Sequence, residues 1–161
     1  MSASDDHRDT GPSTVGAAPP RVERARRFVA APPAAIFELL TDPSKHSLID
    51  GSGTVRASAD EAPERLTLGS KFGMKMRMAV PYRITNEVVE FEEDRLIGWR
   101  HMGGHIWRYL LEPADGGTWV TEEFDWRTAR SATMLRAMRA PTRNRQAIEA
   151  TLDRLAAHFS N

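Results

Sequence analysis

The chain has 161 residues, enough for one domain with a real core and too few for two ordinary ones. Its 22 basic and 22 acidic side chains cancel, so global charge gives no pull toward nucleic acid, and any anionic partner has to be held by a local patch. With no cysteine, disulfides, thiolate metal sites and a cysteine nucleophile are all excluded.

Residues 1–20 are rich in Ser, Ala, Gly, Pro and Asp and contain no apolar run. They read as a disordered tail rather than a signal peptide or membrane span, which makes a cytoplasmic protein without stable membrane insertion the default expectation. Residues 21–31 alternate partly (Val22, Ala25, Phe28, Ala30) and predict a first strand. Pro32-Pro33 ends it and opens a helix, whose stripe of Ile36, Phe37 and Leu40 closes at Asp42-Pro43. A second short helix carries His46 and Asp50 four residues apart, the spacing of a local salt bridge. Gly51-Ser52-Gly53 then reads as a left-handed cap and turn into a strand at 54–57.

From Phe72 the period changes to two. Phe72, Met74, Met76, Met78 and Val80 face one way, and Lys71, Gly73, Lys75 and Arg77 the other. Further strands are predicted at about 82–91, 95–102, 105–112 and 119–127, joined by loops so short that the pairs must be antiparallel hairpins. With 115–117 in the turn, Leu111 faces Val120, Tyr109 faces Glu122, Trp107 faces Phe124 and His105 faces Trp126 on the inward side. Carried through Gly103-Gly104, the register sets His101 across from His105, Trp99 across from Trp107 and Ile97 across from Tyr109. On the outer face Arg108 meets Glu123, as an ordinary exposed ion pair. Met134, Leu135 and Met138 form a short helical stripe that Pro141 interrupts, and Ile148, Thr151, Leu152, Leu155 and Phe159 line a final helix.

His101, His105, Tyr109 and Glu122 are polar groups on an otherwise apolar inward face, where they must be paired or used. They could contact a ligand, or supply a general base and acid, since histidine titrates near neutrality and burial raises a glutamate toward it. Tyr109 and Glu122 could equally satisfy each other. Two histidines and Glu122 also match a two-histidine-one-carboxylate metal set by type, but no closed ligand motif accompanies them, and no metal or cofactor is expected. Met74, Met76 and Met78 suit a pocket wall because methionine adapts to irregular shapes, although it is also an ordinary core filler. Between Arg127 and Ile148 stand six arginines and no acid, read as a solvated helix face.

Several landmarks together carry a resemblance: Pro32-Pro33-Ala34, Asp42-Pro43, Asp50-Gly51-Ser52-Gly53, Trp99, Trp107, Glu112-Pro113 as a strand end, Gly117-Thr118 and Asp125-Trp126. In this order of elements the chain resembles the START/polyketide-cyclase (Bet v 1-like) superfamily. The resemblance implies an α+β helix-grip domain over residues 21–161: a curved antiparallel sheet of six or seven strands around the carboxy-terminal helix, with two short helices after the first strand. It implies a cavity for a hydrophobic small molecule, a lipid or polyketide-like metabolite. The expected lining is the three methionines, Trp99, His101, His105, Trp107, Tyr109, Glu122, Phe124 and Leu152, with His46 and Asp50 at the entrance. A cyclase or aromatase-dehydratase activity using the inward His, Tyr and Glu is the alternative, and a chaperone-ATPase-activating interaction module is a second. Monomer and homodimer both remain open.

Overall fold

A computed structural model describes residues 20–58, 62–77 and 79–160. Residues 1–19 of the expected tail (1–20), and Met78, lie outside them. Strand β1 (Val22–Val29) leads through Pro32 into α1 (Pro33–Thr41), which buries Ile36, Phe37, Leu39 and Leu40. Asp42 takes the Ser44 N–H at 3.0 Å to start a short 3-10 turn, Pro43–Lys45, that runs into α2 (His46–Ile49). Strands β2 (Val55–Ser58), β3 (Lys71–Arg77), β4 (Pro81–Glu92), β5 (Leu96–His101), β6 (Ile106–Ala114) and β7 (Gly117–Asp125) follow, then α3 (Ala132–Ala137) and α4 (Ala140–His158). All seven strands form one antiparallel sheet in the order β1-β7-β6-β5-β4-β3-β2, so the first two strands of the chain are its opposite edges. Irregular pairing at Val55/Ala57 and Val88/Glu90 bends it, as bulges do.

The expected hairpin registers hold: Trp107 pairs with Phe124, Tyr109 with Glu122, Leu111 with Val120 and Trp99 with Trp107. Helix α4 lays Ala147, Ile148, Thr151, Leu152 and Leu155 against the concave face at β1 and β7, so hydrophobic burial at helical spacing fixes where it sits.

Four local expectations are corrected. Val80 is 69% exposed in the bend before β4, because the chain must reverse before Pro81 and the alternation runs on past the end of the strand. Pro113 does not end β6, which continues to Ala114. Pro141 lies in the first turn of α4, where it needs no donor, and the break between α3 and α4 is Arg139 at φ 54°. Arg108 is no exposed surface pair: it donates to Glu90 Oε1 at 2.7 Å and to Glu123 Oε2 at 2.7 Å, while Arg24 holds the other oxygen of Glu123 at 3.1 Å. Gly98 makes this possible. A Cβ there would stand 2.5 Å from Glu90 Oε2, so the bare backbone of β5 lets Arg108 reach across it. These charge-assisted bonds raise the Arg108 pKa further and tie four strands together.

Candidate functional site

The concave face divides by depth. Phe124 and Leu152 are fully enclosed, as are Met74, Tyr109 and Glu122 to within a few per cent. Met76, Ile84, Trp99, His101, His105 and Trp107 share that face yet keep part of their surface open. Of the expected lining among the described residues, those left partly open therefore lie toward the β5–β6 hairpin, and the rest is packed core.

Deep in the sheet, Tyr109 donates its hydroxyl hydrogen bond to Glu122 Oε1 at 2.9 Å, and Glu122 Oε2 has no partner among the described residues. Burial, then the negative charge of Asp50, pushes the Glu122 carboxyl well above the ordinary range, against the pull of Tyr109. Among the described residues no cation offsets it: Ala25 is its neighbour on β1, Arg27 is paired with Asp153 at the surface, and the buried face of α4 carries no charge. Burial thus favours the protonated form of Glu122. A carboxyl whose folded pKa is raised binds more protons folded than unfolded, so its contribution to stability falls as pH rises above about 4.3, the ordinary glutamate value. Glu122→Gln removes this slope. The variant's melting temperature minus that of the wild type should grow as pH rises above about 4.5, and a constant difference would show that the Glu122 pKa is not raised in the fold.

Toward the hairpin, the His101 and His105 rings stack at 4.4 Å with 12° between planes. Gly103 N–H donates to His101 Nδ1 at 2.9 Å. Desolvation lowers both pKa values, and with the added repulsion of His101 the His105 value falls to about 4, so both rings are neutral near pH 7. A lowered histidine has the opposite linkage: its contribution is lost as pH falls from about 6.5 toward 4. The tip is fixed to the segment before α3 by Arg130 N–H to Gly103 O at 2.8 Å and Thr128 Oγ1 to Gly104 O at 2.7 Å.

The four expected polar residues therefore form two separate pairs. Four residue steps separate His105 from Tyr109, about 13 Å along the strand direction. Parallel stacked imidazoles do not aim their nitrogens at one point, and no group of three metal-capable side chains occurs among the described residues.

His46 is buried rather than at an entrance. Its Nε2 lies 2.8 Å from Leu40 O, and its ring stacks on Trp99 at 5.2 Å and meets Phe72 edge-on at 5.8 Å. It has no salt bridge with Asp50, whose carboxylate accepts from Ser52 N–H at 3.0 Å and Val55 N–H at 2.9 Å and shapes the turn. Of the two glycines there, Gly53 takes the left-handed φ of 68°, and Gly51 abuts the backbone of α4. The arginine-rich stretch is partly engaged: Arg127 grips Asp125 through two nitrogens, and Arg136 lies over Trp126 at 5.2 Å.

Sequence reasoning passed over Asn86. It is 3% exposed, on the concave face between Phe72 and His101, with Oδ1 unpaired. The signal was an asparagine, a poor strand former, at an inward position between Ile84 and Val88. A separate hollow of about 340 Å³ lies at the other end of the sheet, walled by Ala31, Pro32, Pro33, Pro113 and Gly117 among others, and no side chain lining it can hydrogen-bond.

The family model described as polyketide cyclase / dehydrase and lipid transport matches residues 20–160. The protein Rv0088 of Mycobacterium tuberculosis (strain ATCC 25618 / H37Rv) is 43% identical over 119 residues, 73% of this chain and 52% of that protein. The chain spans about half the length of the curated relatives it matches. Among solved structures, CV1439 from Chromobacterium violaceum superposes with a TM-score of 0.67 at 16% identity, covering 88% of this chain and 99% of the other. KanY gives a TM-score of 0.68 at 15% identity, covering 87% and 97%. At such identities these two likenesses establish the fold alone. No helix among the described residues is long and apolar enough to cross a membrane.

Proposed function

We propose that this chain, which belongs to the polyketide cyclase/dehydrase and lipid transport family, binds a hydrophobic or aromatic small molecule, a lipid or polyketide-like metabolite, between its sheet and α4. The observation that carries the reading is the partial exposure of Met76, Ile84, Trp99 and Trp107 on a concave face where Phe72, Met74, Val88, Ile97, Leu111 and Phe124 are enclosed. Apolar walls with a few placed polar groups are the usual make-up of a small-molecule site. In this reading residues 21–161 are the binding domain and residues 1–20 lie outside it.

The separation of the polar pairs supports a binder over a cyclase or dehydratase. A general base and a general acid must both reach the reacting atoms of one substrate, and His105 and Glu122 stand about 13 Å apart along the strands.

Trp99 and Trp107 report on the site directly. Intrinsic tryptophan fluorescence should be quenched, saturably, by at least one class in a panel of flavonoids, fatty acids and polycyclic aromatics. A flat response to every compound would refute the binding reading.

A further inference from the structure

Six buried side-chain polar atoms lack a hydrogen-bond partner among the described residues, and three of them, Asn86 Oδ1, His105 Nδ1 and Trp126 Nε1, share one cross-strand row. The register puts Asn86 of β4 directly across from His101 of β5. His101 N–H bonds the His105 carbonyl at 2.9 Å, and one step past the Ile106–Asp125 pair brings Trp126 opposite His105. Buried polar atoms are almost always paired, because a dry donor or acceptor forfeits its bonds to water with no return. Core packing does not call for three in a row beside partly open tryptophans.

The hairpin itself fixes the tautomer of His101. Because Nδ1 accepts from Gly103 N–H, the proton of the neutral imidazole resides on Nε2, which makes no hydrogen bond among the described residues. Stacking against His105 holds the ring in place. Directly opposed residues of an antiparallel pair have Cβ atoms about 5 Å apart, so a single small group between them can meet both the Asn86 acceptor and the His101 donor.

We propose that this row receives the hydroxyl group of an otherwise apolar molecule, the hydroxyl donating to Asn86 Oδ1 and accepting from His101 Nε2–H. The assignment rests on the cavity-binding reading and specifies its ligand chemistry. A hydroxyl both gives and takes a hydrogen bond through one oxygen, whereas an ether, ketone or carboxylate only accepts and leaves Asn86 dry.

Naphthol, methoxynaphthalene and naphthalene share a ring system and differ in this group. In titration calorimetry on the full chain, naphthol should bind on the order of tenfold tighter than naphthalene, with methoxynaphthalene close to naphthalene. Asn86→Leu, and separately His101→Phe, which keeps a ring against His105, should each bring the naphthol-to-naphthalene ratio to about one. Should Asn86→Leu fail to fold, His101→Phe decides alone. Binding of all three probes with equal affinity, or a ratio that the variants leave unchanged, overturns the hydroxyl assignment while cavity binding stands. Heatless titrations with all three, together with tryptophan fluorescence unchanged across the whole panel of flavonoids, fatty acids and polycyclic aromatics, overturn the cavity reading and the assignment together.

Discussion

Leu152→Ala should lower the unfolding free energy by about 2 to 5 kcal/mol, read as a fall in the urea midpoint at nearly unchanged slope. Leu152 is 1% exposed and sits between Ile148 and Leu155 on the stripe that fixes α4 to β1 and β7. Truncation removes buried methyl groups and leaves a cavity that a packed helix-sheet interface closes only in part, so the transfer and cavity costs add. The neighbouring Asp153 is exposed, and Asp153→Ala should stay within about 0.5 kcal/mol because surface ion pairs such as Arg27–Asp153 contribute little. A Leu152→Ala cost under about 0.5 kcal/mol would mean that α4 does not grip the sheet by this face.

Gly51→Val should cost about 3 kcal/mol, for the opposite reason. A Cβ at Gly51 would lie 2.3 Å from both Ala147 O and Thr151 N, which are backbone atoms of α4 that no rotamer change can move aside. The same contact holds two cross-links, Gly51 N–H to Thr151 Oγ1 at 2.9 Å and the Arg154 guanidinium to the Asp50 carbonyl. Forcing the helix outward strains both and disturbs the Asp50 turn. Gly53 is the control. Its φ of 68° disfavours a side chain, but nothing lies within reach, so Gly53→Ala should cost only about 1 kcal/mol. If thermal melts rank Gly53→Ala as the worse variant, the α2–α4 contact is not the constraint inferred here.

The alternation of Phe72, Met74 and Met76 and the short turns at Gly103-Gly104 and Asp115–Gly117 were enough to place strands and registers. A two- or three-residue hairpin leaves its strands one pairing, and a period of two then assigns every side chain to a face. The stripe through Ile148, Leu152 and Leu155 likewise identified the helix that needs a sheet to cover it. These are local patterns; the helix-grip architecture was what the superfamily resemblance of their order implied.

Sequence inspection misread residues whose partners are distant in the chain. His46 and Asp50 looked like a pair because a helix brings i and i+4 together, yet His46 bonds Leu40 O and stacks on Trp99, and Asp50 caps Ser52 and Val55. Arg108 and Glu123 were correctly opposed, but what makes them a network is Glu90 arriving over Gly98 and Arg24 arriving from the other end of the chain. Periodicity established that Trp107, Phe124, Tyr109 and Glu122 point inward, whereas only the placement of α1, α2 and α4 over the sheet decided which of them are sealed and which stay open. Face is set by backbone geometry within a strand, and so can be read from sequence. Depth and burial charge depend on what packs across the face from elsewhere, which is why the raised Glu122 pKa and the unpaired Asn86 emerge only in the folded molecule.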